Sequence, residues 1–137
     1  RFIGIDLSSG MIEKARVTGL YAELAVTDMA TGLEAQPDAS ADLVIAADAM
    51  VYVADLLPVL AQAHRVLAHG GLIAFTTETH SGDGVILGEG LRYAHAAAHV
   101  RAAVIDAGLD VALLEEASTR DENHVPVHGL VAVATKP

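Results

Sequence analysis

Three aspartates of this 137-residue sequence follow short, mostly apolar segments. They are Asp6 after Phe2–Ile5, Asp28 after the segment around Glu23–Val26, and Asp48 after Asp42–Ala47. In an open α/β sheet, ligands bind beyond the carboxyl ends of the strands. A carboxylate at that place can accept hydrogen bonds from both hydroxyls of a ribose, and several carboxylates together suit a cationic ligand. The three aspartates are therefore candidate ligand-binding residues.

The seven histidines add candidate acid–base and metal-binding groups. His80 opens the glycine-rich segment His80–Gly90, and a neutral imidazole there could take a proton from a hydroxyl or an amine near neutral pH. His95 and His99 are four residues apart in a predicted helix, a spacing that could chelate a metal ion. Because the sequence positions no third ligand, we predict no metal site.

Composition and charge exclude several classes of partner. Eight basic and eighteen acidic residues give a net charge of −10, which repels nucleic-acid phosphates and anionic membranes. The apolar runs are too short to span a bilayer. The sequence has no cysteine, so a disulfide scaffold and a thiolate metal site are excluded. We predict no nucleic-acid or membrane partner, a small-molecule ligand and a cytoplasmic location, and a homo-oligomer is compatible with the sequence.

The apolar periodicity predicts alternating strands and helices in one domain over residues 1–137. The helices are predicted from Ser8 or Ser9 to Gly19, from Asp55 to Ala68 and over Tyr93–Ala107, and the later strands are Leu72–Glu78, Val111–Glu116 and Val127–Thr135. Alternation predicts a doubly wound, mostly parallel sheet. The last two strands are separated by a predicted loop that is too short for a crossover helix, so the C-terminal strand should be antiparallel.

The stretch IGIDLSSGMIEKAR, with Asp28 after the next strand and ADLVIAADAMVYV further on, resembles the class I S-adenosylmethionine-dependent methyltransferases. The run HRVLAHGGLIAFTTE is similar to the helix, Gly-Gly turn and fifth strand of that family. The last two predicted strands are similar to its sixth and seventh, of which the seventh is antiparallel. The resemblance covers nearly the whole chain. It implies a Rossmann-like methyltransferase fold, S-adenosylmethionine as cofactor, and methyl transfer to a small-molecule acceptor by in-line displacement.

The resemblance also implies roles for individual residues. The implied cofactor-binding residues are Asp6 (ribose), Leu7, Asp28 (adenine amino group), Met29, Ala47 and Asp48. The implied substrate-binding residues are Tyr52, His80, Tyr93 and His95. His80 and Asp48 are the candidate catalytic residues.

In this family a first strand and a glycine-rich loop precede the strand that ends at Asp6. We therefore expect the domain to be incomplete at its N-terminus. The strands Phe2–Ile5 and Asp42–Ala47 would then each lack a partner on one side.

Other interpretations of these residues stay open. Asp6 and Asp48 could cap turns, Asp28 could be an ordinary turn aspartate, and His80 an ordinary loop histidine. The chain could be a noncatalytic methyltransferase-like binding or regulatory module. A dinucleotide-binding domain of the NAD type also carries an acid at the position of Asp6, but its sheet does not end in an antiparallel pair. Methylation of DNA amines is disfavoured because Asp48 is not followed by two prolines and an aromatic residue.

Overall fold

The computed structural model describes all residues from 1 to 137, which form two units, residues 1–37 and residues 38–137. The first unit contains β1 (Phe2–Asp6), α1 (Ser9–Thr18), β2 (Tyr21–Val26) and α2 (Met29–Glu34). β1 and β2 are parallel, and α1 connects them. This is the strand–helix–strand unit that the sequence predicts.

Local signals in the sequence explain where α1 begins and ends. The Ser8 hydroxyl accepts a hydrogen bond from the Met11 N–H at 3.2 Å, which is the role of an N-cap residue. Gly19 has φ = 69°, a left-handed conformation that glycine adopts without steric cost, and it terminates the helix. The predicted helix is therefore confirmed at both ends.

The second unit contains six strands and two α-helices. They are β3 (Ala41–Ala46), α3 (Leu57–Val66), β4 (Leu67–Glu78), β5 (Val85–Leu87), β6 (Tyr93–His95), α4 (Ala97–Asp106), β7 (Asp110–Glu122) and β8 (Val125–Thr135), with short 3₁₀ turns at Met50–Tyr52 and Glu89–Leu91. β4 is the central strand. It pairs parallel with β3 and β6 and antiparallel with β8, while β5 pairs with β6 and β7 with β8, both antiparallel.

The predicted α/β fold is confirmed, but its sheet is mixed. The C-terminal strand β8 is antiparallel to both of its neighbours, as the sequence predicts. The expected mostly parallel sheet is confirmed only in part, since three of the six pairings are antiparallel. The β5–β6 hairpin accounts for one of the three, and it was not predicted. β1 and β3 each have a single partner strand, as expected.

The C-terminal hairpin is longer than predicted. Residues 117–126 were expected to form a loop, but β7 and β8 continue through this polar segment to a two-residue turn at Asn123 and His124. Both turn residues have positive φ, 51° and 63°, as type I′ hairpin turns require. Strand pairing therefore outweighs the polar composition that indicated a loop.

The segment predicted as one helix from Tyr93 to Ala107 begins as a strand. Tyr93–His95 pairs antiparallel with Val85–Leu87, and α4 starts only at Ala97. Pairing with β4 and β5 overrides the helix propensity of an alanine-rich sequence. His95 and His99 are consequently not on one helix, although their rings stack with centroids 5.5 Å apart.

The interior of the second unit is mostly aliphatic. Its most buried side chains include Phe75 on the central strand and Leu56 and Leu60 at the start of α3. None of the four α-helices is both long enough and apolar enough to cross a bilayer.

Candidate functional site

Asp6 and Asp28 lie at the same edge of the two-stranded sheet in the first unit. Asp6 is the last residue of β1, where it is paired in register with Val26, the last residue of β2. Asp28 follows two residues later. The parallel pairing thus places both carboxylates at carboxyl strand ends, which is where open α/β sheets bind ligands.

Asp6 is half-buried and keeps acceptor capacity for a ligand. One of its carboxylate oxygens accepts a hydrogen bond from the Ser8 N–H at 2.7 Å, and the other oxygen has no hydrogen-bond partner. The side chain also lines a shallow pocket of about 150 Å³ together with Met11 and Ile12 of α1. Asp6 therefore stabilises the turn into α1 and can still bind a hydroxyl group.

Asp28 is the N-cap of α2. Its carboxylate accepts a hydrogen bond from the Thr31 N–H at 2.9 Å, and this bond is the main reason why the pKa of Asp28 is lowered below its ordinary value of 3.8. The side chain is exposed and stays charged at neutral pH. Met29 beside it is half-buried, whereas Leu7, next to Asp6, is exposed. A capping role and a ligand-binding role are both compatible with this geometry.

α2 is placed closely against β1 by a glycine. A Cβ atom added at Gly32 would lie 2.6 Å from Cγ2 of Ile5. Only glycine permits this approach, which brings the N-terminus of α2, and with it Asp28, close to the end of β1.

Asp48 lies in the second unit, in the turn that follows β3. Its backbone has φ = 51°, a left-handed conformation that is uncommon outside glycine but less costly for aspartate than for most residues. The Asp48 N–H donates a hydrogen bond to Oγ1 of Thr76 on β4 at 2.9 Å. Ala47 and Asp48 are both exposed, at the carboxyl end of the parallel pair β3–β4.

Arg92 brings Asp48 and Tyr52 together. Its Nη2 donates to Oδ1 of Asp48, its Nη1 donates to the Tyr52 hydroxyl at 2.9 Å, and its Nε donates to Oε1 of Glu78 at 3.1 Å. The guanidinium carbon also lies 5.2 Å from the centre of the Tyr52 ring. Partial burial lowers the pKa of the Arg92 guanidinium, but its hydrogen bonds to Asp48 and Glu78 and their negative charges raise it by more. The net effect is a raised pKa.

Glu78 completes this cluster at the end of β4. Its Oε1 accepts two further hydrogen bonds from Arg120 of β7, at 3.0 Å from Nε and 2.8 Å from Nη2. Sequence analysis did not single out Glu78, Arg92 or Arg120. An acidic residue that ends a buried strand was a usable signal for Glu78. Arg92 gave no such signal, because its contacts depend on the unpredicted β5–β6 hairpin.

His80 is engaged within the glycine-rich segment that it opens. Its Nδ1 accepts a hydrogen bond from the Gly82 N–H at 3.1 Å, so its Nε2 carries the proton and donates to the Gly84 carbonyl at 3.0 Å. Both ring nitrogens are therefore used to hold the turn. His80 makes no hydrogen bond to Asp48 or Tyr52, and its predicted catalytic and substrate-binding roles stay predictions.

His95 is fully buried, and Tyr93 beside it is half-buried. The His95 Nε2 donates to the Val53 carbonyl at 2.9 Å, while its Nδ1 has no hydrogen-bond partner. Burial lowers the pKa of His95 below its ordinary value of 6.5, and the neighbouring His99 and His80 lower it further. The hydrogen bond to Val53 raises the pKa, but by less than burial lowers it. His95 is therefore neutral at pH 7, and its contact with a substrate stays a prediction.

The buried neutral imidazole of His95 makes stability depend on pH. Below about pH 6.5 the unfolded chain takes up a proton at this position, whereas the folded protein resists protonation. The free energy of unfolding should therefore fall as the pH drops from 6.5 towards the folded-state pKa, and this contribution is fully present above that window. Urea unfolding of wild type and His95→Gln between pH 5 and pH 8 measures it. We expect the free energy of unfolding to fall less on acidification in His95→Gln than in wild type. Equal falls in the two proteins would contradict this assignment.

Residues 1–75, more than half of the chain, match the family model described as a methyltransferase domain. The chain belongs to the class I S-adenosylmethionine-dependent methyltransferase family. The predicted family is thereby confirmed, together with S-adenosylmethionine as the cofactor of that family. None of the curated proteins matches the sequence.

Solved structures with the same fold include several methyltransferases and a cyclase. A methyltransferase from Methanosarcina mazei is 16% identical, with 98% of this chain and 81% of that chain covered and a TM-score of 0.75. The 1,6-didemethyltoxoflavin-N1-methyltransferase of Burkholderia thailandensis, solved with S-adenosylhomocysteine, is 12% identical (98% and 70% covered, TM-score 0.71). The cyclase SpnF is 17% identical (98% and 66% covered, TM-score 0.78). At these identities the similarity shows the fold alone.

Proposed function

We propose that this methyltransferase domain transfers the methyl group of S-adenosylmethionine to a small-molecule acceptor. The observation that carries the proposal is Asp6, a half-buried carboxylate at the carboxyl end of β1 with one oxygen free to accept a hydrogen bond. In a chain of this family, that geometry suits the hydroxyls of the cofactor ribose. The negative charge of the whole chain also agrees with a cationic cofactor.

The first unit would hold the nucleoside part of the cofactor. Asp6 would accept hydrogen bonds from the ribose hydroxyls, with Leu7 exposed beside it. Asp28 would accept a hydrogen bond from the adenine amino group, since its carboxylate is exposed and ionised. Met29 would contact the adenine ring. The two carboxylate acceptors thus fit the hydroxyl and amino donors of the nucleoside.

Residues that follow β3 are proposed to contact the reacting end of the cofactor and the acceptor. When bound, S-adenosylmethionine would supply a methyl group carried on a sulfonium. A nucleophile of the acceptor would bond to that carbon as the S–CH3 bond breaks in line, and S-adenosylhomocysteine would leave as the thioether. Ala47 and Asp48 are exposed at the end of β3 and would contact the methionine part. Tyr52 is exposed and would bind the acceptor, and we propose the same role for Tyr93, His80 and His95.

Asp48 is a better candidate than His80 for receiving a proton from the acceptor. Its carboxylate is exposed, and one of its oxygens is not held by Arg92. By contrast, protonation of His80 at Nδ1 would break the hydrogen bond from the Gly82 N–H. A base within hydrogen-bond reach of the acceptor is needed only where the acceptor loses a proton during transfer.

The second candidate function is a noncatalytic module that keeps the fold. The cyclase SpnF has the same fold, so the fold alone does not establish methyl transfer and leaves this alternative open. Incubation with S-adenosylmethionine deuterated in the methyl group and a mixture of small metabolites, followed by mass spectrometry, separates the two. A labelled product that wild type forms and Asp6→Ala does not would support the enzyme. Saturable cofactor binding with no labelled product would support the module.

A further inference from the structure

The guanidinium of Arg92 contacts both Asp48 and Tyr52, two residues to which the proposed function gives roles near the reacting group. We propose that Arg92 is a positioning residue that holds the Asp48 carboxylate and the Tyr52 phenol in one arrangement at the carboxyl end of β3. This inference rests on the proposed function, because it assumes that Asp48 contacts the methionine part of the cofactor.

Few interactions hold the backbone and side-chain conformation of Asp48. Its backbone is in the left-handed region, with φ = 51°, and its side chain is 55% exposed. It is held by the hydrogen bond from its N–H to Thr76 and by the ion pair of its carboxylate with Arg92. Loss of Arg92 would free the carboxylate and remove one of two restraints on an otherwise unfavourable backbone conformation.

Arg92 is fixed independently of Asp48. Its side chain is only 12% exposed, and its Nε donates to Glu78, which Arg120 also binds. Its carbonyl oxygen accepts a hydrogen bond from the Gly88 N–H at 2.8 Å, which closes the turn before it. The well-anchored partner therefore determines the position of the exposed one, so Arg92 positions Asp48 and not the reverse.

A double-mutant cycle tests whether Arg92 acts through Asp48. Calorimetric titrations of S-adenosylhomocysteine would compare wild type, Arg92→Met, Asp48→Ala and the double variant. We expect Arg92→Met to weaken binding by about fivefold or more. In the Asp48→Ala background, the same change should alter binding by less than about twofold, since the residue through which it acts is gone. Should Arg92→Met fail to fold, Arg92→Lys takes its place, because one ammonium cannot contact Asp48, Tyr52 and Glu78 together.

Arg120→Met is the matched control. Arg120 also binds Glu78 but makes no hydrogen bond to Asp48 or Tyr52, so binding should stay within about twofold of wild type. The inference is overturned if Arg92→Met weakens binding equally in both backgrounds, or if Arg120→Met weakens it as much as Arg92→Met does. No binding by folded wild-type protein would overturn the proposed function, and the positioning of Asp48 and Tyr52 by Arg92 would then be tested without cofactor.

A second measurement needs no cofactor. It separates a failure of the positioning role of Arg92 from a failure of the proposed cofactor binding. The NMR signals of the Tyr52 ring should shift in Arg92→Lys, because the guanidinium over the ring and its bond to the hydroxyl are lost. They should stay unchanged in Arg120→Met. Unchanged Tyr52 signals in Arg92→Lys would overturn the positioning role whether or not the cofactor binds.

Discussion

Replacing Asp6 with alanine should weaken binding of S-adenosylhomocysteine by about 1–3 kcal/mol, the range for hydrogen bonds to a charged group. This corresponds to roughly a fivefold to 150-fold rise in Kd. The expected loss follows from the half-buried carboxylate at the end of β1, whose free oxygen would lose its contact with the ribose hydroxyls. Calorimetric titration of both proteins measures the difference.

The control for Asp6→Ala must separate ligand binding from the local turn. The Asp6 carboxylate also accepts the Ser8 N–H at 2.7 Å, and alanine removes that bond as well. Asn in place of Asp6 can keep the bond to Ser8 while it loses the charge. We expect Asp6→Asn to fold as wild type does and still to bind the ligand more weakly. Wild-type affinity in Asp6→Ala would show that Asp6 is only a turn residue.

Replacing Glu78 with alanine should lower the free energy of unfolding by roughly 3–5 kcal/mol, as expected when one partner of a buried ion pair is removed. Glu78 is 8% exposed, and its Oε1 accepts hydrogen bonds from both Arg92 and Arg120. Without it, two poorly solvated guanidiniums lie close together with less negative charge between them. Urea unfolding followed by circular dichroism measures the change.

Glu122→Ala is the matched control for Glu78→Ala. Glu122 pairs with the same Arg120 at 3.3 Å, but its side chain is 63% exposed. Exposed ion pairs contribute little, so this change should cost less than about 1 kcal/mol. Equal losses in the two variants would show that burial of Glu78 does not make its ion pairs important for stability.

The parts of the fold that were predictable are those with local signals. Ser8 and Gly19 mark the ends of α1, and the apolar run Asp42–Ala47 indicated β3 within one residue at each end. The β5–β6 hairpin was missed, and so was the extension of the predicted β7–β8 pair through residues 117–126. These segments are glycine-rich, alanine-rich or polar, so their composition indicated loop or helix. Pairing between the strands of each hairpin makes them extended.

As with the fold, the residues of the site that were predictable are those with a local signal in the sequence. An aspartate after an apolar run is a local signal, and it located Asp6, Asp28 and Asp48 at carboxyl strand ends. The cluster of Arg92 with Glu78 was not accessible in this way, because residues 14 positions apart meet only after the chain turns back at Gly88–Leu91. Long-range charge pairs of this kind leave no periodic pattern in a sequence.

The most direct test of this account is a calorimetric titration of S-adenosylhomocysteine into the wild-type protein, since every proposed role depends on cofactor binding. Circular dichroism of the same sample establishes that the protein is folded. We expect saturable binding at one site per chain. A folded protein that shows no binding would contradict it, and the chain would then have the methyltransferase fold without the cofactor function.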